Sequence, residues 1–187
     1  SSNLEKSYFN QEKNYSVTSI NEELSQRGKQ DIVHVLSWNV SGLSSKIADN
    51  DWRGFVQKFA ICMFQETWDI NDAHMNGYIS FHTPAITTKA GRSSGGLVMW
   101  VNTILPFYLE EIWTGSNDIL AISMKGKEDF YILLVNVYNR TTPFSHESNT
   151  LTDLINLTTA YATTHYIIIG GDFNLTYKPT HLGRELT

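Results

Sequence analysis

Three short apolar runs limit what this chain can fold into: residues 32–36, 60–64 and 166–169. Each is rich in β-branched or aromatic residues, is too short for a packed helix, and is nearly continuous rather than alternating. Such runs suit strands covered on both faces. Further strand texture falls at 78–82, 96–101, about 104–112, 118–124 and 130–138. No helical pattern separates the strands between about 78 and 138, so that stretch is expected to be mostly antiparallel. Apolar residues at 52, 55, 56 and 59 have a helical period, and residues 149–161 carry a weaker one through Leu151, Leu154, Ile155 and Leu157. The last apolar run is expected to stop at Gly170 and Gly171. Many strands and few helices rule against a doubly wound sheet. An α+β sandwich, two facing sheets with helices outside, accommodates all of these elements.

The chain has 187 residues, which points to one domain. Residues 1–30 are polar and read as an arm or linker, with 31–187 as the domain. Ser19 and Glu22 fit a capping box and Gly28 a stop, so a short helix is expected at about 19–27. No run approaches a membrane span, and no charged-then-apolar start reads as a secretory signal. An intracellular protein, nuclear or cytoplasmic, is therefore expected, with no membrane partner. The single cysteine, Cys62, excludes an internal disulfide and a multi-cysteine zinc site, and its place in an apolar run reads as core packing. Fourteen Lys+Arg against nineteen Asp+Glu leave a net charge of -5, so this is not a basic protein that coats DNA by charge. Contact with nucleic acid would need a local site or a metal.

The strands end in unusual company. The first runs into Asn39, the second into Gln65 and Glu66, the one at 130–138 into Asn136, Tyr138 and Asn139, and the last into Asp172 and Asn174. Singly, each has an ordinary reading. Asn39 and the Gly-Gly-Asp-x-Asn string suit turns, Tyr138 suits packing, and Glu66 is a carboxylate in need of a partner. Together, four strand ends would carry the parts for metal-assisted phosphoester chemistry. Glu66 and neighbouring oxygens suit Mg²⁺, Asp172 could orient or deprotonate a water, and amides and a phenol could hold phosphate oxygens without adding negative charge.

In their order and spacing, Trp38-Asn39, Gln65-Glu66-Thr67-Trp68, Gly91-Arg92-Ser93-Ser94-Gly95-Gly96-Leu97, Asn136-Val137-Tyr138 and Gly171-Asp172-Phe173-Asn174 resemble the endonuclease/exonuclease/phosphatase superfamily. The wording of the second and third motifs is most similar to the endonuclease domain of non-LTR (LINE-type) retrotransposons. The resemblance covers about residues 31–176. It implies a deoxyribonuclease-like, four-layer α/β/β/α sandwich and a divalent metal, Mg²⁺ or Mn²⁺. Glu66 would be the main metal ligand with Asn39 beside it. Tyr138 would contact the scissile phosphate, Asp172 would position or activate the water, and Asn174 would help hold water or phosphate. The implied reaction is hydrolysis of one phosphodiester of DNA.

The resemblance also implies a further strand ending in a Ser/Asp-His motif, which does not occur after Asn174. His181 sits in Pro179-Thr180-His181-Leu182-Gly183 with no strand before it, and reads as loop rather than as that histidine. His34, His74, His82, His146 and His165 fall at non-matching places and read as structural or exposed. The domain is thus expected to be truncated at its C-terminus, inactive or weakly active alone, with an open sheet edge that another protein chain or a second copy could cover. A non-catalytic assembly module and a phosphatase of a small phosphorylated ligand stay open as alternatives. The sequons at Asn14, Asn39, Asn139, Asn156 and Asn174 read as a by-product of abundant Asn and Thr.

Overall fold

The computed structural model describes residues 32–69, 71, 73–87, 91, 93–140 and 150–174. The arm at 1–30, the helix expected at 19–27 and His181 lie outside these described residues. The elements are β1 (Val35–Asn39), α1 (Leu43–Ile47), α2 (Asn50–Val56), β2 (Ile61–Gln65), β3 (Tyr78–Thr83), β4 (Ile86–Thr87), β5 (Ser93–Ser94), β6 (Leu97–Asn102), β7 (Tyr108–Ile112), β8 (Ile119–Lys125), β9 (Tyr131–Tyr138), α3 (Thr150–Tyr161) and β10 (Tyr166–Asp172). One sheet has the order β1-β2-β6-β3 and the other β10-β9-β8-β7, with β4 and β5 forming a short ribbon. Each large sheet has one parallel pair, β1 with β2 and β9 with β10, and its remaining pairs are antiparallel. The fold is therefore α+β with mixed sheets and few helices.

Alternation along the strands sorts their side chains into separate clusters. Met63, Phe81, Leu97 and Met99 from the first sheet meet Leu120, Ile122, Met124 and Leu134 from the second, so the sheets face one another. The opposite face of the first sheet, with Cys62, Phe64, Val98 and Trp100, packs on Leu43 of α1 and on Trp52 and Val56 of α2. The opposite face of the second, with Ile119, Leu133, Val135 and Val137, packs on Leu154 of α3. α2 starts cleanly because the Asp49 side chain accepts from the backbone N–H of Asp51 and Trp52 at 2.8 and 3.3 Å. Cys62 is buried in the core, and burial pushes its thiol up to about 12.

A buried polar tie joins the facing sheets. Gln65 Nε2 donates to Asn136 Oδ1 at 2.7 Å, and Asn136 Nδ2 donates to the carbonyls of Phe64 and Val98 at 3.0 and 3.1 Å. Both side chains are buried. An apolar contact tolerates sliding, whereas this bond has one good geometry. It sets β2 and β9 at matching heights, and each strand delivers a candidate site residue just past the tie.

The structure corrects several expectations. The strand expected at 104–112 begins only at Tyr108, because Pro106 has no backbone N–H and Leu105 and Phe107 turn back onto Asn102 and Leu105. β10 does not stop at the glycines but runs through them to Asp172. A Cβ on Gly170 would lie 2.7 Å from Met63 Sδ, and one on Gly171 would overlap the Val137 carbonyl, so here glycine lets strands approach closely instead of ending one. Finally, β2 is buried throughout, but β1 and β10 are not covered on both faces. They are sheet edges, and Val35, Trp38, Tyr166, Ile168 and Ile169 on them are exposed.

Candidate active site

The parallel pairings bring the strand ends to one level. Asn39 ends β1 opposite Gln65 of β2, so Glu66 emerges beside it. Asp172 ends β10 opposite Tyr138 of β9. Side chains then close the ring across the sheets. Asn39 Nδ2 donates to Asp172 Oδ2 at 2.9 Å, and the Tyr138 hydroxyl donates to Glu66 Oε1. Asn39, Glu66, Tyr138 and Asp172 thus meet at one end of the molecule.

Each is held in place. Glu66 adopts a left-handed backbone conformation with φ 55°, sparsely populated for a residue with a side chain. Gly42 N–H and Leu43 N–H bond to the Glu66 and Thr67 carbonyls at 2.8 and 2.9 Å, which fastens the loop after β1 to the loop after β2. The second carboxylate oxygen of Glu66 accepts from the Trp68 indole at 2.7 Å and from the Gly95 N–H at 3.3 Å. Trp68 in turn lies on Gly42, where a Cβ would come within 2.9 Å of the indole. Asp172 Oδ1 accepts from the Asn174 N–H at 3.0 Å, so both of its oxygens have fixed donors. Asn39 Oδ1 accepts from the Ser41 N–H at 3.2 Å, which orients its amide toward Asp172.

Tyr138 is only 8% exposed. Burial raises its pKa well above the usual phenol value, and its bond to Glu66 and the charges of Glu66 and Asp172 add to the rise against the opposing Arg140. The phenol is therefore a neutral donor throughout the physiological range. Asn174 joins the cluster through its backbone N–H to Asp172, and its side chain is used elsewhere. Its Nδ2 donates to the Asn139 carbonyl at 2.7 Å, bracing the loop after β10 against the loop after β9.

The donor set of the cluster is two carboxylates and an amide, all oxygen ligands. No group of three or more His, Cys, Asp or Glu side chains that could hold a metal occurs among the described residues. This chemistry fits a hard cation of the Mg²⁺ kind, which takes one or two carboxylates and completes its shell with water and substrate. It does not fit zinc, which prefers imidazole and thiolate. Three supports have no role assigned from the sequence. Gln65 and Asn136, which stand among the polar strand-end residues, join the two sheets instead of entering the site. Arg140 follows Tyr138 by two residues, and nothing local distinguishes it from a loop arginine.

No curated protein matches the chain. The endonuclease/exonuclease/phosphatase family matches residues 36–184, most of the sequence and all of the site. Proteins of that family generally use divalent metal ions. No helix among the described residues is long and apolar enough to cross a membrane. With the matched span running from β1 past the last residue of the site, the chain belongs to the endonuclease/exonuclease/phosphatase family.

Proposed function

We propose that the chain is a Mg²⁺- or Mn²⁺-dependent phosphodiesterase of the endonuclease type, acting on DNA and derived from a LINE-type retrotransposon endonuclease. Its architecture in this reading is a four-layer α/β/β/α sandwich. The observation that carries the reading is the closed ring of Asn39, Asp172, Tyr138 and Glu66 built by two cross-sheet hydrogen bonds. Glu66, with the amide oxygen of Asn39, would hold the ion. When bound, a divalent cation would offset the negative charge that builds on the phosphate. Asp172, fixed by Asn39 and Asn174, orients an attacking water and accepts its proton. With a phosphate bound, the neutral Tyr138 hydroxyl would turn its single proton from Glu66 to a phosphate oxygen, adding no charge of its own. Asn174 supports this arrangement by bracing the loop that follows Asp172.

The test is nicking of supercoiled plasmid with Mg²⁺ and with Mn²⁺, wild type against Glu66→Ala. Metal-dependent nicking that Glu66→Ala abolishes supports the reading, and equal nicking by both removes it. A second reading is favoured by the exposed Val35, Trp38, Tyr166, Ile168 and Ile169 on the two neighbouring sheet edges. Unpaired strand edges with apolar side chains take up additional strands. In that reading the scaffold is an assembly module that binds another chain or a second copy, and light scattering would find a complex while the plasmid stays intact. The same site chemistry on a small phosphorylated ligand would make it a phosphatase, which inorganic phosphate release from inositol phosphates would detect.

A further inference from the structure

Arg140 lies just past β9, two residues after Tyr138, and is tied to the surroundings of Glu66 from several directions. Its Nε donates to Asp118 Oδ1 at 2.6 Å, with the two side chains only 20% and 18% exposed. Its Nη1 reaches the Ser94 carbonyl and Oγ at 3.5 and 3.4 Å. The guanidinium lies over the Tyr138 ring, 5.7 Å from its centre. The Asp118 carbonyl accepts the Tyr138 N–H at 2.9 Å, so Asp118 grips Tyr138 by its backbone and Arg140 by its carboxylate.

The guanidinium also rests against Gly95. A Cβ there would lie 2.8 Å from Arg140 Cζ and 3.0 Å from Nη1, and would overlap Nη2. Gly95 also has φ +74°, a conformation that disfavours any side chain. Its N–H is one of the donors to Glu66. Arg140 therefore abuts two of the groups that hold the Glu66 carboxylate, the Tyr138 ring and the Gly95 backbone. One observation speaks against a purely structural role. Nη2 is out of solvent and has no hydrogen-bond partner among the described residues. A buried donor left unpaired costs free energy, and an apolar side chain could fill the space without it. What an apolar side chain could not supply is a flat, charged surface between Tyr138 and Gly95.

We infer that Arg140, held by Asp118, is a positioning residue of this site, setting Tyr138 and the Gly95 backbone around the Glu66 carboxylate. The inference rests on the reading of Glu66 as the metal-holding group, and its test separates the two. Wild type, Glu66→Ala, Arg140→Met, Arg140→Lys and Asp118→Asn are prepared as the full chain and checked for folding by circular dichroism. Two quantities are measured: Mn²⁺ binding by electron paramagnetic resonance, and, without metal, the ¹³Cζ resonance of Tyr138, assigned with Tyr138→Phe. Arg140→Met is expected to weaken Mn²⁺ binding about tenfold, as loss of a ligand's supporting partner does, and to shift the Tyr138 resonance. Arg140→Lys, which keeps the charge without the fork, should fall between. An unmoved Tyr138 resonance in a folded Arg140→Met protein overturns the inference, whatever happens to its melting temperature. If Arg140→Met does not fold, Arg140→Lys and Asp118→Asn decide by the same resonance. Absence of Mn²⁺ binding by wild type would instead defeat the metal reading, with the Tyr138 resonance still deciding the role of Arg140.

Discussion

Asn39 Nδ2 donates to Asp172 Oδ2 at 2.9 Å, joining residues 133 positions apart across the ends of two different sheets. The bond holds the Asp172 carboxylate on the side where Glu66 emerges. Removing it should release Asp172 without opening the core, because Asn39 lies at a strand end. Asn39→Ala is expected to lower metal-dependent nicking about 10–100-fold while the melting temperature changes little. Asn39→Asp should be at least as damaging, since it sets one carboxylate against another. Plasmid nicking and thermal melts, read side by side, check both.

The inter-sheet tie makes a stability prediction. Asn136→Ala leaves two backbone carbonyls without their buried side-chain donor, while Gln65 Nε2 keeps Ser37 Oγ and the Met63 carbonyl at 3.2 and 3.1 Å. Each such orphan costs about 1–3 kcal/mol, with partial relief from relaxation. The variant should lose about 2–4 kcal/mol in urea unfolding. Replacing both partners together, Gln65→Met with Asn136→Leu, should cost less than the sum of the single changes, because neither side-chain amide is left facing an apolar partner.

Two glycines should respond in opposite directions to the same added methyl group. Gly171 faces the Val137 carbonyl of the neighbouring strand, which cannot move without breaking the β9–β10 pairing. Gly171→Ala should destabilise by about 2–4 kcal/mol and shift Asp172. Gly54, within α2, has nothing within 4 Å of a Cβ. Gly54→Ala should stabilise by about 0.5–1 kcal/mol, since glycine is the poorer helix former. Chemical denaturation of both variants gives the signs directly.

Acidity should be felt at His165. Its Nε2 meets Ser123 Oγ at 3.0 Å, and partial burial lowers its pKa below 6.5. The folded state thus prefers the neutral ring. Its contribution to stability is intact above the unfolded value near 6.5 and is lost as pH falls through the lower folded value. Tyr138 has the opposite sense. Its raised pKa makes its contribution intact below about 10, the ordinary phenol value, and lost only at more alkaline pH. Urea unfolding from pH 7 to 5 should therefore show a declining slope component that His165→Gln removes. A Tyr138→Phe variant should leave that acid limb unchanged.

Periodicity and punctuation are local properties, so most of the strands, the helices at 50–56 and 150–161, and the polar strand ends could be read along the chain. Where local reading failed, a distant neighbour had decided. Gly170 and Gly171 look like a terminator, but the nearness of Met63 and Val137 makes them the middle of a strand. The runs in β1 and β10 look like buried strands, but sheet order leaves them at the edges. Arg140 looks like a loop residue until Gly95, Asp118 and Tyr138 surround it. The amino-acid order was sufficient for the residue types of the site and the family they spell. Only folding could bring Asn39 to Asp172 and Glu66 to Tyr138, because register across a sheet and height between sheets are fixed by contacts between segments that composition and spacing never mention.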